Sequence, residues 1–253
     1  MPLMTITAPG VYEIRTDMTQ SNPNDDAIWI APGVHYVSLL TYSRLVCSAG
    51  PGALNAAIAF NGNAAVNIIN MGGSIRGFQY GVKGENANLA KVRDLVVQDA
   101  LFRGIRIDGE GTVIEGCDIQ NVTGCTAYPD AYCMGIEAQG VLTPYSNISI
   151  LRNTVRNVKG MGDEGESVGI SLTDKGRGAL IKDNAVINPL LLPGSFGYWV
   201  GGDSDPAMVH NHAENFHYGA CFSSPPAGYV GKPTFRGCTV NIQDSGGDVV
   251  IDL

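Results

Sequence analysis

The sequence lacks the features that mark many families of enzymes and binding proteins. No apolar run is long enough to cross a bilayer, and no phosphate-binding loop, dinucleotide fingerprint or nucleophile elbow is present. No Cys-X-X-Cys pair occurs, which argues against a zinc ribbon. Charged residues make up only 16% of the chain and the net charge is −8, so neither nucleic acid nor an anionic membrane is expected as a partner.

Two further absences concern the start of the chain and its helix content. The first residues have neither the basic region nor the apolar core of a signal peptide. Three alternatives follow: a cytoplasmic protein, a leader that has been removed, or exit by another route such as phage release. Of the possible locations, we favour the cell exterior or a phage particle. Helix-favouring charged runs are missing, whereas glycine is abundant at 33 residues. That composition favours many short strands and turns within one elongated domain.

The six cysteines do not form a disulfide framework by their spacing. Cys125 and Cys133 flank one loop, where a bridge between them and two reduced thiols are both compatible with the sequence. Cys47 and Cys221 are expected to be reduced.

A repeated strand unit is the main feature that is present. Asn153, Asn184 and Asn211 each have an apolar residue two positions later and a second Asn four positions later. We place further copies at Gly73, Asp99, Cys117 and Cys238. An apolar residue lies three positions before most of these anchors: Val96, Ile114, Ile150, Ile181, Met208 and Phe235. Such a unit buries its apolar face only by stacking on the next copy.

The anchors are expected to stack as a ladder with a spacing of about 4.8 Å between strands. Asn at the anchor tolerates the left-handed backbone of a tight turn, and its side chain can hydrogen-bond along the ladder. The apolar residues after four of the anchors should then be buried: Ile119, Val155, Val186 and Val240.

The repeat resembles the right-handed parallel β-helix family, the pectate-lyase-like fold, at residues 74–82, 103–109, 150–155 and 182–186. The resemblance implies an all-β fold: a single-stranded parallel solenoid with loop insertions, forming one domain over residues 1–253. Residues 1–60 are expected to form irregular first coils covered by a helix or loop, and residues 61–253 the regular coils. Residues 48–59 fit a short helix or a strand. The family includes lyases, hydrolases, epimerases and non-catalytic phage or surface proteins, so the fold leaves the activity open.

The strands that open with Gly-Ile predict one chemically distinctive surface. Their apolar residues should point inward and the residues between them outward. One outward column is then Lys83, Arg106, Glu137, Ser171, Trp199 and Cys221. The neighbouring column is Glu85, Asp108, Gln139, Thr173 and Ser223.

Two interpretations of this surface compete. In the first, Asp108 and Glu137 act as the catalytic acid and base, while Arg106 and Lys83 either hold an anionic group or stabilise charge that develops in the reaction. Adjacent strands and columns put the two carboxylates roughly 8 Å apart, which favours an inverting hydrolase. In the second, these residues form an exposed salt-bridge ladder that contributes little energy.

The expected substrate-binding residues flank this charged patch: Glu85, Gln139, Tyr132, Asp130 and Trp199. Trp199 with Tyr198 fits either a sugar-stacking platform or ordinary packing. The insertions at residues 123–133 and 159–167 should wall the patch on one side.

No metal site or cofactor is predicted, although one alternative involves calcium. Asp163, Glu164 and Glu166 carry hard oxygen ligands that suit Ca²⁺, but an acidic surface loop explains them more simply. His210, His212 and His217 lack a pattern of acidic partners and are assigned structural roles.

The favoured function is a carbohydrate-active enzyme that cleaves or epimerises a polysaccharide in a groove on the Gly-Ile sheet. The alternatives are a non-catalytic glycan-binding adhesin or phage-tail module, and a small-molecule isomerase built on the same scaffold. Residues 248–253 form an apolar last strand, which predicts a homo-oligomer through the C-terminal coil.

Overall fold

The computed structural model describes residues 1–128, 132–140, 146–161, 167–223, 227–246 and 248–252. These residues form β-strands joined by turns and loops, and none of them forms a helix. No segment of this described part is therefore a helix able to span a membrane.

The strands are short and evenly distributed along the chain. The first nine are β1 (Met4–Ile6), β2 (Gly10–Ile14), β3 (Met18–Gln20), β4 (Ile28–Ile30), β5 (Val37–Thr41), β6 (Arg44–Cys47), β7 (Ala56–Asn61), β8 (Val66–Asn70) and β9 (Ser74–Arg76). The next nine are β10 (Tyr80–Glu85), β11 (Lys91–Arg93), β12 (Val96–Gln98), β13 (Arg103–Asp108), β14 (Val113–Glu115), β15 (Asp118–Val122), β16 (Cys133–Gly140), β17 (Ser149–Leu151) and β18 (Thr154–Val158). The last nine are β19 (Ser167–Asp174), β20 (Arg177–Lys182), β21 (Ala185–Gly201), β22 (Asp205–Val209), β23 (His212–Ser223), β24 (Gly228–Gly231), β25 (Thr234–Arg236), β26 (Val240–Asp244) and β27 (Val249–Asp252).

The strands stack in three parallel rows, and each strand pairs with its counterpart one coil away. The front row contains β1, β4, β7, β10, β13, β16, β19, the second halves of β21 and β23, and β26. The back sheet contains ten strands from β2 to β27. The side row contains β3, β6, β9, β12, β15, β18, the first halves of β21 and β23, and β25. Since β21 and β23 pass from the side row into the front row, these two rows join as one seventeen-stranded sheet. The all-β parallel solenoid that the sequence predicts is confirmed.

Columns of apolar side chains fill the interior of the solenoid. In the side row, Ile119, Val155 and Val186 follow one another in register and are fully buried, as predicted. In the back sheet, Ile114, Ile150 and Ile181 form the corresponding column. The aligned residues extend through every coil because a parallel stack repeats the same inward position at each step.

The predicted asparagine ladder is confirmed for its central members. The Nδ2 group of Asn184 donates to the Oδ1 atom of Asn211 at 3.0 Å and to the carbonyl of Ile150 at 2.8 Å. The backbone N–H of Asn153 donates to Oδ1 of Asn184 at 2.9 Å, and that of Cys117 to Oδ1 of Asn153 at 2.9 Å. These buried amides therefore satisfy the backbone groups at one corner of successive coils.

Two predicted members of this ladder are wrong. Val96 pairs with Asp118, which puts Leu95 rather than Asp99 level with Cys117. Asp99 belongs instead to a second ladder at the other end of the side-row strands, which also contains Asn121 and Asn157. There the Oδ1 atom of Asp99 accepts a hydrogen bond from Asn121 at 3.0 Å, and that of Asn121 accepts one from Asn157 at 2.8 Å. His212 pairs with Thr234, so Cys238 does not align with Asn211 either.

The two errors have the same cause. Polar or small residues occur at both ends of the side-row strands. The copies that we anchored at Asp99 and Cys238 start from the wrong end, and they therefore still match the sequence pattern. The back-sheet column accordingly contains Val92 and Val230 instead of Val96 and Phe235. Val240 lies in the front row and is only partly buried.

The left-handed backbone lies one residue before the anchor, not on it. Arg152, Asp183 and His210 have φ values of 52°, 56° and 53°, and each precedes a ladder asparagine. The asparagine thus keeps an ordinary backbone, and its side chain points into the core.

Three other expectations concern the first coils and the cysteines. β1–β6 pair in the same parallel pattern as the later coils, so residues 1–60 are more regular than predicted. Residues 56–59 belong to strand β7, which decides the helix-or-strand question for the second part of residues 48–59. None of the six cysteines, all of which the structure describes, forms a disulfide, so Cys125 and Cys133 are not bridged.

Candidate functional site on the front face

The outer surface of the front row, which we call the front face, carries the predicted columns in register. Lys83 pairs with Arg106, Arg106 with Glu137, Glu137 with Ser171, and Ser171 with Trp199. Asp108 pairs with Gln139, and Gly84 with Ile107, which puts Glu85 beside Asp108. The alternating residues Val82, Ile105, Ile136 and Ile170 are buried in the core. The sequence-predicted residues of this face that the structure describes are therefore brought together.

A column of glycines shapes the corner where each front strand begins. Its members are Gly81, Gly104, Gly135, Gly169, Gly197 and Gly219. A Cβ atom on Gly104 would lie 2.5 Å from the carbonyl oxygen of Gly135 and 2.5 Å from Cγ2 of Ile119. The corner is therefore too tight for a side chain, which explains the Gly-Ile pattern as a steric requirement.

This corner also brings a residue to the front face that strict alternation assigns to the core. Arg103 precedes Gly104 and has the same parity as the buried Ile105, yet its guanidinium pairs with the outward-facing Glu137. Arg103 is thus a site residue that the sequence interpretation missed. The available indication was an arginine at a position where alternation would bury it.

Four charged side chains form the centre of the front face, and we call them the charge cluster: Arg103, Arg106, Asp108 and Glu137. Nε of Arg103 lies 2.6 Å from Oε2 of Glu137, and Nη2 of Arg106 lies 2.9 Å from Oδ2 of Asp108. Nε of Arg106 approaches Oε2 of Glu137 at 3.8 Å. One network therefore links both carboxylates through Arg106.

Because their column points outward, the carboxylates of Asp108 and Glu137 would be expected to be exposed, and this expectation is wrong. The side chains of Arg103 and Glu137 are 8% and 7% exposed, and that of Asp108 is 12% exposed. A buried ion pair costs much more to break than a surface pair, so the cluster is not the weak exposed ladder of the second interpretation.

The two carboxylates of the charge cluster have different surroundings. Glu137 uses both oxygens: Oε2 faces the two guanidinium groups, and Oε1 accepts a hydrogen bond from Gln139 at 2.9 Å. Burial raises the pKa of the Asp108 carboxyl above its ordinary value, and this effect outweighs the hydrogen bond and charge of Arg106. Burial lowers the pKa of the Arg106 guanidinium, but the hydrogen bond to Asp108 and the negative charge of Glu137 outweigh this effect. The net result is a raised pKa, so Arg106 remains a cation.

Asp108 opens into a cleft at the far edge of the front face. The cleft has a volume of about 340 Å³ and is lined by Asn86, Asp108, Gln139, Gly140, Asp174 and Lys175. Asp174 has a left-handed backbone, with φ of 64°, at the end of β19. A ligand in this cleft can meet Asp108 and Gln139 together with a second carboxylate and an ammonium group. Asp174 and Lys175 were not predicted.

Lys83 and Glu85 lie one coil before Arg106 and Asp108. Nζ of Lys83 is 3.1 Å from Oε1 of Glu85, and both side chains are about one third exposed. The ammonium group also lies 5.5 Å from the centre of the Tyr80 ring. These two predicted residues are therefore more accessible than the charge cluster.

Aromatic rings form a wall along the corner of the front face. Tyr80 packs edge-on against Phe102 at 5.8 Å, and Phe102 stacks on Tyr128 at 5.6 Å. The Arg103 guanidinium lies 3.8 Å from the centre of the Phe102 ring. The chain passes from the side row to the front row after Val122 and again after Val158, so the described ends of both predicted insertions lie at this corner.

A second group of aromatic rings continues beyond the charge cluster. Tyr132 stacks on Trp199 at 5.0 Å, Phe196 stacks on Trp199 at 5.9 Å, and Phe196 stacks on Tyr218 at 5.1 Å. The indole Nε1 of Trp199 donates to Oγ of Ser223 at 2.8 Å. Trp199 and Tyr132 therefore lie together on the front face, as the sequence indicates.

Two predicted residues near this group have different outcomes. Tyr198 is 1% exposed and its hydroxyl donates to the carbonyls of Asn184 and His212 inside the core, so it cannot form a platform with Trp199. Alternation explains this, because Tyr198 occupies the inward column of Ile170. Asp130 lies outside the described residues.

The described residues contain no group of three or more His, Cys, Asp or Glu side chains that is suited to a metal ion. His210 lies 3.4 Å from Asp183, and His212 lies 3.4 Å from Glu214. Asp163, Glu164 and Glu166, the candidate calcium ligands, lie outside the described part of the chain.

Comparisons with known proteins identify the fold family. A family model described as a right handed beta helix region matches residues 80–252, whereas no curated protein matches the sequence. The crystal structure of an alginate lyase from Paenibacillus sp. str. FPU-7 is 11% identical, with a TM-score of 0.49, over 97% of this chain and 99% of that chain.

Two further solved structures are similar over a smaller part of their own length. The catalytic unit of a thermostable GH87 alpha-1,3-glucanase from Streptomyces thermodiastaticus strain HF3-3 is 11% identical, with a TM-score of 0.39, over 99% of this chain and 62% of that chain. The Agl-KA catalytic domain is 10% identical, with a TM-score of 0.40, over 96% of this chain and 62% of that chain. At these values, the likenesses carry no argument about activity. Since the family model covers more than half of the sequence, the chain belongs to the right-handed beta helix family.

Proposed function

We propose that the chain is a carbohydrate-active enzyme that cleaves or epimerises a polysaccharide bound along the front face. One observation carries this proposal: a buried network of four charged side chains opens into a cleft through Asp108 and has aromatic rings along the same face. Acid–base chemistry on a sugar needs titratable groups in a partly dry site, and sugar rings pack their apolar faces on aromatic side chains.

Asp108 is the proposed acid–base group. Its raised pKa keeps the carboxyl protonated to a higher pH than an ordinary aspartate, which suits proton donation to a leaving oxygen. Its position in the wall of the cleft supports direct access to a substrate.

Arg106 and Glu137 are proposed to complete the reacting centre. Arg106 remains positively charged and can stabilise negative charge that develops on the substrate or orient an anionic group. Glu137 lies one strand from Arg106 and diagonal to Asp108, which supports the separation of roughly 8 Å that suits an inverting hydrolase. In this role Glu137 is the base, and its hydrogen bonds from Arg103 and Gln139 keep it oriented.

Substrate binding is proposed for the residues that flank the cluster. Lys83 and Glu85 are accessible one coil before it, and Gln139 lines the same cleft as Asp108. Tyr132 and Trp199 supply stacked rings beyond it. A role for Asp130 stays a prediction, and calcium at Asp163, Glu164 and Glu166 stays the untested alternative to an acidic surface loop.

A polysaccharide panel tests the proposal. Release of reducing ends would identify a hydrolase, ultraviolet absorbance of unsaturated uronates would identify a lyase, and a change in sugar stereochemistry by NMR would identify an epimerase. We expect one of these signals from the wild type and its loss in Asp108→Asn. No turnover of any polysaccharide in the panel would contradict the proposal.

A non-catalytic glycan-binding module is the second candidate. It is favoured by the saturation of Glu137, whose two oxygens already accept hydrogen bonds from Arg103 and Gln139. Retained binding of a polysaccharide without turnover by the wild type would support this candidate over the enzyme.

A further inference from the structure

The front face has a second pocket, which lies on the coils that precede the charge cluster. It has a volume of about 260 Å³, and we call it the Trp29 pocket. Its lining includes Asp26, Trp29, Ala59, Tyr80, Lys83 and Glu85. Trp29 pairs with Ala59, and Ala59 with Lys83, so these three occupy successive positions of the same outward column.

The pocket exists because a small residue stands between two large ones. Ala59 is 3% exposed and leaves a gap between the indole of Trp29 and the side chain of Lys83. In the neighbouring column Ala56 pairs with Tyr80, which lowers the base of the pocket in the same way. Trp29 and Phe102 pack against Ala56, Ala59 and Tyr80 as a small apolar cluster separate from the main core.

The polar groups of the pocket are arranged around this apolar base. Oδ1 of Asp26 accepts the backbone N–H of Ala56 at 2.7 Å, and its Oδ2 has no hydrogen-bond partner among the described residues. Burial raises the pKa of the Asp26 carboxyl, although the Ala56 N–H and the charge of Lys83 oppose this effect. Lys83 and Glu85 face each other at 3.1 Å on the opposite side. A ligand hydroxyl can thus donate to Asp26 and accept from Lys83.

We propose that the Trp29 pocket binds a single neutral pyranose ring, with the apolar face of the sugar on Trp29 and its hydroxyls on Asp26 and Lys83. The volume is below the range of about 300–1,000 Å³ that holds drug-sized ligands, so one ring is accommodated rather than an oligosaccharide. Two carboxylates around one ammonium group disfavour an anionic sugar. The pocket adds one binding position to the proposed polysaccharide groove and in that sense rests on the proposed function.

The two tryptophans of the chain, Trp29 and Trp199, make the pocket directly observable. In the Trp199→Phe variant, Trp29 is the only tryptophan and its fluorescence reports on the pocket. We expect methyl glucoside, methyl galactoside or methyl mannoside to change this emission in a saturable way. Methyl glucuronide is expected to produce no saturable change.

Variants in the Trp199→Phe background distinguish binding in the Trp29 pocket from a non-specific change in fluorescence. Ala59→Leu fills the gap without removing a polar group and should raise the dissociation constant at least about tenfold. Ala8→Leu adds the same atoms at an exposed position away from the pocket and should leave the titration unchanged. Asp26→Asn should weaken binding while retaining the fold, as judged by circular dichroism.

The outcomes distinguish this inference from the proposed enzymatic function. A saturable response to a neutral methyl glycoside that Ala59→Leu removes would support the pocket even if no polysaccharide is turned over. Turnover of a polysaccharide with no response of Trp29 to the three neutral glycosides would overturn the pocket alone. A response only to methyl glucuronide, or one that Ala59→Leu leaves intact, would also overturn it.

Discussion

Asp108 and Glu137 lie one strand apart on the same face, yet the protein holds them in different ways. Asp108 has one strong partner, Arg106, and faces a cleft, whereas Glu137 is enclosed by Arg103, Arg106 and Gln139. The first arrangement leaves a carboxyl that can exchange a proton with a ligand. The arrangement around Glu137 instead fixes the orientation of its carboxylate and of the guanidinium groups of Arg103 and Arg106. Distinct variants should therefore separate the roles of the two carboxylates.

The raised pKa of Asp108 predicts a pH-dependent stability. Because the native state binds this proton more tightly than the unfolded chain, the carboxyl favours folding below its ordinary pKa of 3.8 and this contribution is lost as the pH rises through the native pKa. Asp108→Asn mimics the protonated group and cannot lose it. The unfolding midpoint of the variant minus that of the wild type should thus increase as the pH rises above about 4. A difference that stays constant, or decreases, over this range would contradict the assigned environment.

Glu137→Gln should destabilise the fold, contrary to the expectation for an exposed carboxylate. The variant leaves the buried Arg103 guanidinium without its negative partner, at a cost of about 3–5 kcal/mol in the free energy of unfolding. Glu13→Gln is the matched control, because Glu13 pairs with Arg15 at an exposed site, where about 1 kcal/mol or less is expected. Urea denaturation measures both. Equal effects of the two variants would show that burial of the pair is unimportant.

At the scale of the strand, the glycine column determines how each coil turns from the side row into the front row. This turn also explains why the inward–outward alternation of side chains along a strand predicted most of the site residues but not all of them. From Val82 onward, each strand alternates regularly, and the columns of Lys83 and Glu85 follow from the sequence. Before the glycine, the backbone turns at the corner, and Arg103 and Tyr80 reach the front face against the alternation rule.

Gly135→Ala tests this role of the glycines. The added Cβ would lie 2.3 Å from Cγ1 of Val155 and 2.7 Å from the carbonyl of Gly169, so the corner must open and the free energy of unfolding should fall by about 1–3 kcal/mol. Gly52→Ala is the control, because its added Cβ meets nothing closer than Oγ1 of Thr126 at 3.8 Å. Thermal unfolding compares the pair. A Gly135→Ala protein as stable as Gly52→Ala would remove the steric explanation.

At the scale of the whole molecule, the parallel solenoid could be predicted because the asparagine and apolar residues of the repeat recur in a recognisable pattern along the sequence. The register of individual coils could not be predicted in the same way. Asp99 and Cys238 fit the anchor pattern, but they do not align with the ladder residues Cys117 and Asn211. Contacts between distant segments were not predictable. Asp26 joins Lys83 in one pocket only because β4, β7 and β10 are stacked neighbours, and no local pattern marks that relation.

The predicted oligomer through the C-terminal coil also belongs to this scale. Val250 and Ile251 of β27 are 63% and 44% exposed, and β27 pairs with β24 but with no second strand among the described residues. We expect a homo-oligomer by light scattering, because an exposed apolar strand edge readily pairs with another chain. Val250→Lys should shift the population towards the monomer. A wild-type protein that is monomeric at all concentrations tested would contradict this expectation.

The most direct test of the account is the activity of Asp108→Asn on the polysaccharide that the panel identifies. Asp118→Asn is the matched control, since Asp118 pairs with Arg156 on the side row, away from the front face. If Asp108 is the acid–base group, kcat/KM should fall at least about 10²-fold in Asp108→Asn and stay unchanged in Asp118→Asn, while circular dichroism shows both variants folded. Full activity of a folded Asp108→Asn protein would contradict the account.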